Sequence, residues 1–392
     1  MKLMTLLVAL STLSTLCSSA FAFDETASLS DTSGDIPSNK VIATWRAQPQ
    51  AKMTIALAQT RLNESRYPDA TGNERQQVMH FIHYQKQQID TLSASAKTQL
   101  MVLEAKMLQG SHQFSQAAAI LNTIDTTNNA AALLLLADIN IQQGNPAAAK
   151  TYCQQLVGKT SHLLAFTCIL NAEFTLNTNI ASYEKLLNFE AFTEKSRVEK
   201  PSIEETRFEE PNANNTAQAA ASERLWYYET LAAMAYTLNK PEATLLHLNK
   251  LDAQKLPVSA LLLWSDAKLK LSKPQDVIER FTAIQAASNR TSNSTGKNID
   301  DGLLLRWAKA ERQISLHDTE IQKQLADRMA LRTWREDVSH AAQVASYFLD
   351  IDYKPAIALK FARLNWQAAQ TRSDARLLAR AESAVATSST LN

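Results

Sequence analysis

Residues 142–152 read QQGNPAAAKTY, and how this stretch is read decides what kind of molecule the chain is. A glycine followed by asparagine, proline and three alanines could be a phosphate loop, a catalytic elbow or a corner between two helices. Pro146 favours the corner, because its missing N–H is not needed at the first helical position and its fixed φ suits a helix start. Upstream, AAALLLLADINIQQ (130–143) places Leu134, Ala137 and Ile141 on one face and Leu133 and Leu136 on another. A helix apolar on more than one side must be packed on more than one side. In this reading Gly144 ends one helix, Asn145 caps the next, Pro146 opens it, and Ala147 to Ala149 leave room for a neighbouring helix.

The same unit recurs. Ala105, Phe114, Ala117 and Leu121 precede Ala137, Asn145, Ala149 and Cys153, with Ala105 to Ala137 and Ala117 to Ala149 both 32 residues apart. LNKPEATLLHL (238–248, with Pro241 and Ala243) matches LSKPQDVIERF (271–281, with Pro274) at an offset of 33, and DYKPAIALKFA (352–362) repeats the Lys-Pro opening. A period of 32 to 34 with small residues where helices cross resembles the tetratricopeptide repeat. The resemblance covers 98–160 and 223–285 best. Several consensus aromatics are missing, and Cys153 stands where Phe or Tyr is usual, so the repeats are degenerate. QGSHQF (Gln109, His112, Phe114) and the tail ALKFARLNWQAAQTRSDARLLARA (Asn365, Trp366, Asp374, Arg376) also resemble a group of exported repeat proteins of Gram-negative bacteria that brings no activity with it. The resemblance implies an all-α, right-handed α-solenoid of antiparallel helix pairs. Such a solenoid presents an extended concave surface that suits a protein or peptide partner.

Composition agrees with helix. The 392 residues include only 7 glycines and 10 prolines, where average usage of about 7% glycine gives roughly four times as many. Lys plus Arg number 40 and Asp plus Glu 39. Lys2 is the only charge in the first 22 residues, so removing them leaves a balance of zero. A neutral chain lacks the basic footprint that phosphate neutralisation requires, which argues against nucleic acid as a partner. It also lacks a strong signal for anionic lipid.

MKLMTLLVALSTLSTLCSSAFA (1–22) has a basic start, an apolar run from Leu3 to Leu16 and an A-x-A ending. It reads as a secretory signal peptide cleaved after Ala22. A lipoprotein alternative would use Cys17, but Leu16 stands where that chemistry wants a small residue. No later apolar run approaches the ~20 residues of a membrane span, so a periplasmic or secreted chain is expected. Behind the signal, 23–40 reads as a disordered leader, 41–199 as N-terminal helical repeats, 200–222 as a flexible acidic and Asn/Ala-rich loop, and 223–392 as C-terminal helical repeats interrupted by a Ser/Asn/Thr-rich loop at 288–300. Export favours pairing Cys153 with Cys168, which are symmetric about GKTS (158–161) and would lie at the same height on facing helices. Two separate buried thiols remain the alternative. A metal site at these cysteines is disfavoured because no further His or Cys stands at ligand spacing from them.

Few constellations suggest chemistry. His80 and His83 in HFIH are three apart and share a helix face, which could hold a metal if a third ligand such as His112 approached; ordinary surface or half-buried histidines are the simpler reading. His112 is expected to bond a turn carbonyl while Phe114 fills the core. Trp366 falls on an apolar stripe, Asp374 is expected to cap or brace the start of the last helix, and Arg376 to pair with Asp374 or with the preceding helix end. In WREDVSH (334–340), Glu336 and Asp337 precede an apolar helix, where negative charge favours the N-terminal dipole. No G-x-S-x-G, phosphate loop, dinucleotide glycine fingerprint or S-x-x-K set occurs. Helical lytic transglycosylases are also exported and superhelical, but nothing here resembles their catalytic domain. The expectation is a non-catalytic periplasmic scaffold without cofactor or metal; the alternative is a cell-envelope enzyme or enzyme-accessory protein acting on peptidoglycan.

Overall fold

A computed structural model of the chain describes residues 53–70, 73–198, 213–291 and 299–390, and every regular element among them is helical. The signal segment with Ala22, the leader 23–40 and residues 199–212 and 292–298 lie outside the described residues. The helices are α1 (Ile55–Glu64), α2 (Glu74–Gln87), α3 (Ala94–Gln109), α4 (Phe114–Leu121), α5 (Ala130–Gln142), α6 (Pro146–Gln154), α7 (His162–Leu176) and α8 (Ile180–Val198). They continue as α9 (Ala213–Thr237), α10 (Pro241–Leu248), α11 (Val258–Lys270), α12 (Pro274–Thr291), α13 (Asp301–Gln313), α14 (Glu320–Trp334), α15 (Ala341–Asp350), α16 (Pro355–Ala368) and α17 (Arg372–Thr390). Of the stretch 200–222 expected as loop, the part from Ala213 on is helix, consistent with its alanines and the long apolar pattern that follows. Part of the expected loop 288–300 is also helical, because α12 runs to Thr291.

The starts follow capping chemistry. Thr54, Ser93, Asn129, Ser161, Asp300 and Thr319 each accept a hydrogen bond from a backbone N–H of the first turn, satisfying donors that the helix itself leaves unpaired. Pro146, Pro241, Pro274 and Pro355 open α6, α10, α12 and α16. Asn145 stands at the cap position of α6, but its side chain makes no capping bond. Its role is in the backbone, where its N–H donates to the Asn140 carbonyl at 2.7 Å.

That bond belongs to a corner that recurs. His112, Gly144, Asn239 and Ser272, each two residues before a helix start, all have positive φ (59°, 75°, 63° and 54°). In each corner the next N–H reaches back five residues: Gln113 to Leu108, Asn145 to Asn140, Lys240 to Ala235, Lys273 to Lys268. This left-handed ending satisfies carbonyls at the helix C-terminus and turns the chain sharply.

Packing has two levels. Each helix from α1 to α7 lies against the next, as does each from α8 to α17, and the alternate helices α1, α3, α5, α7, α9, α11, α13, α15 and α17 also pack in a row, each on its predecessor in that row. Small residues lie fully buried where these helices meet: Ala105, Ala117, Ala132, Ala137 and Ala149 early in the row, Ala308, Ala345, Ala358 and Ala381 later. Between them, Leu133, Leu156, Leu231, Phe281, Trp307, Phe348 and Phe361 fill the core. Cys153 of α6 and Cys168 of α7 are buried at disulfide distance, with Cα atoms 5.3 Å apart.

Corners early in the chain meet segments late in it. The Gln370 N–H donates to the Gln142 carbonyl at 2.7 Å, and the Ser339 hydroxyl to the Ser111 carbonyl at 3.3 Å. Ala369 is buried in the cluster built by Ala105, Phe114, Leu121 and Leu136. Near the other edge, the Val258 N–H donates to the Arg66 carbonyl at 2.8 Å. No described helix is long and apolar enough to cross a membrane.

Candidate interaction groove

Along α9, Glu229 and Tyr236 are two helical turns apart and so share a face. Ser259, Asp266 and Lys270 of α11 fall in phase with one another, as do Arg306, Lys309 and Gln313 of α13. Stacking the alternate helices puts these residues along one side of the row. A groove of about 570 Å³ opens there, crossing α9, α11, α13, α15 and α17 and lined by Tyr236, Asp266, Lys270, Lys309, Arg312, Asp350 and Arg380.

Its charges are held in place by one another. Arg306 grips Asp266 with two bonds, from Nε at 3.0 Å and from its terminal nitrogen at 2.8 Å, the fork geometry that carboxylates favour. Asp350 accepts from Lys309 at 2.6 Å and from Arg380 at 2.5 Å. Burial alone would raise the Asp350 carboxyl, but Lys309 and Arg380 outweigh it and hold the group below the usual range. Burial pulls Arg306 down, yet Asp266 more than compensates and the guanidinium stays charged. Tyr236 is pushed up by burial and by Asp266, so its hydroxyl remains protonated under ordinary conditions, and the Lys270 ammonium sits 5.2 Å over its ring. Four cations, Lys270, Lys309, Arg312 and Arg380, thus face two carboxylates, Asp266 and Asp350.

Two further carboxyls lie on members α5 and α9 of the row. Gln109 of α3 donates to Asp138 of α5, and burial raises the Asp138 carboxyl despite Gln109, Gln142 and Arg66 pulling it down. Glu229 is raised by burial in the same way, against a 2.7 Å bond from Ser259 and the Arg66 guanidinium at 3.6 Å. Arg66, whose carbonyl also holds Val258, therefore lays its own positive charge on this acidic stretch.

The residues singled out in the sequence fall elsewhere. His80 and His83 are exposed on α2, His83 beside Gln87 at 3.1 Å, and no cluster of three or more His, Cys, Asp or Glu forms a metal-holding group among the described residues. His112 does not approach them. Its ring lies 5.5 Å from Phe114, and burial lowers its pKa, with Asp374 opposing and His340 and Arg75 adding to the shift. Phe114 is buried, as expected, and the backbone N–H of His112 donates to the Gln109 carbonyl. Asn365 is buried and donates to Asp374 at 2.7 Å, while Asp374 also accepts from the Thr371 N–H at 2.9 Å, bracing the start of α17. Trp366 is half-buried. Arg376 donates to the Arg372 carbonyl at 3.3 Å. Glu336 pairs with Lys360 at 2.5 Å, and Asp337 with Arg332 at 2.7 Å and His340 at 3.0 Å. Most of these groups fasten helix ends, and His112 lies within electrostatic reach of Asp374, His340 and Arg75.

The groove residues were not found from the sequence. They come from five helices and are joined by ion pairs 30 to 41 residues apart. The signal that could have found them is a charge near the C-terminal end of successive alternate helices, at Asp266, Lys309 and Asp350. No known protein-family model matches the chain, and the comparison with curated proteins found no similar one.

Proposed function

We propose that this chain is an exported, non-catalytic scaffold or adaptor, a degenerate tetratricopeptide-like solenoid that takes a protein or peptide partner along the side of its alternate helices. In this reading the row α1 to α17 forms the inner, concave side of a right-handed stack of antiparallel pairs, and the intervening helices form the outer side. The supporting observation is the groove itself: it is broad, it crosses five successive members of the row, and its carboxylates are locked by cations. A surface assembled from one or two residues per repeat suits recognition of an extended partner. Export to the periplasm rests on residues 1–22 and is supported by the Cys153–Cys168 pair, since disulfides persist in oxidising compartments.

The test is a crosslinking pull-down from periplasmic extract with the mature protein, run beside an assay for muropeptide release from isolated cell wall. The expected result is a specific crosslinked protein and no wall degradation. Wall degradation by the purified protein, with no partner enriched, would replace the scaffold with an envelope enzyme.

A further inference from the structure

We infer that the groove across α9 to α17 recognises an extended acidic peptide segment, its carboxylates seated on Lys270, Arg312 and the outer faces of the Lys309–Asp350–Arg380 cluster. This rests on the scaffold reading and adds the chemistry of the partner.

Three observations carry it. The cations lining the groove outnumber its carboxylates by two, in a chain whose cations and carboxylates nearly balance as a whole. Lys270 and Arg312 have no acidic partner among the described residues: Lys270 rests on the Tyr236 ring and Arg312 is exposed. A positive field inside a low-dielectric groove is focused rather than dispersed, so it favours an anionic ligand more than the same charges on a convex surface would. The third observation is the contrast within the row, where the acidic stretch at Asp138 and Glu229 already receives a cation from the chain itself, Arg66, while the basic stretch opens as a groove. Fixed pairs such as Arg306–Asp266 also hold the cations apart, so the ligand's carboxylates must be spaced along a chain.

The experiment uses fluorescence anisotropy on the mature protein with three labelled probes: a twelve-residue peptide alternating glutamate and alanine, its glutamine counterpart, and a twelve-nucleotide oligothymidylate. The glutamate peptide is expected to bind saturably and to weaken as salt rises. The double variant Lys270→Glu/Arg312→Glu is expected to weaken it at least tenfold, with circular dichroism reporting an unchanged fold. Lys323→Glu, exposed on α14 outside the groove, is expected to leave binding within twofold. Equal binding of the glutamine peptide, equal binding of the oligothymidylate, or indifference to the double charge reversal would overturn the inference. Absence of glutamate-peptide binding would also overturn it; if the periplasmic pull-down still enriched a partner through Tyr236 or Lys309, the scaffold reading would stand without it.

Discussion

At Gly144 two constraints coincide. Its φ of +75° lies where a side chain is disfavoured, and a Cβ there would meet the Gln370 side chain at 3.1 Å and its carbonyl at 3.2 Å. Gly158 has φ +80° with nothing within 4 Å of the corresponding position. Gly144→Ala therefore carries the left-handed penalty of about 1–2 kcal/mol plus the cost of pushing the last helices away, whereas Gly158→Ala carries the backbone cost alone. Urea unfolding should rank Gly144→Ala as clearly more damaging; equal midpoints would show that the contact with Gln370 is loose. His112 holds the equivalent corner position, and burial depresses its pKa. A base whose folded pKa is lowered stabilises the fold above its unfolded value of about 6.5 and loses that contribution as pH falls through the two values. His112→Asn, which tolerates the left-handed backbone, should thus lose less stability than the parent chain between pH 8 and pH 5. Parallel losses would mean that His112 is not the acid-sensitive group of this junction.

Among the elements, the α6–α7 pair is fastened both by packing and by sulfur. Cys153 and Cys168 enclose a 15-residue separation, for which the chain-entropy relation gives about 3 kcal/mol. Cys153→Ala/Cys168→Ala should lower unfolding stability by roughly that amount, and the denatured, unreduced mature protein should show no reactive thiol; two reactive thiols would sink the pairing. The helices were legible in the sequence wherever the chain spends a residue with few options. Proline marked four helix starts, and buried alanine marked the crossings, because size and missing N–H leave little alternative. The corners at His112, Asn239 and Ser272 were not legible as left-handed, since these residues reach positive φ only when the surrounding backbone bonds hold them there. Asn145 misled in a related way: the residue type suggested a side-chain cap, but the corner used its N–H.

For the whole molecule, a zero net balance concealed an uneven arrangement. Composition read correctly as lacking a global basic footprint, yet charges from alternate helices gather into an acidic stretch met by Arg66 and a basic groove crossing α9 to α17. Neither was visible in sequence order, because Asp266 meets Arg306 and Asp350 meets Arg380 only once the helices stack. The contact between the Gln142 and Gln370 corners was hidden for the same reason, with 228 residues separating its bonded atoms. The central claim is that the row's groove is where a partner sits. The most direct measurement places a photo-crosslinking amino acid in turn at positions 312, 270 and 323 of the mature protein in periplasmic extract. One and the same protein should be captured from 312 and 270, not from 323, and excess glutamate–alanine peptide should suppress its capture. Capture from 323 alone, or capture from the groove that the peptide leaves untouched, would contradict this account.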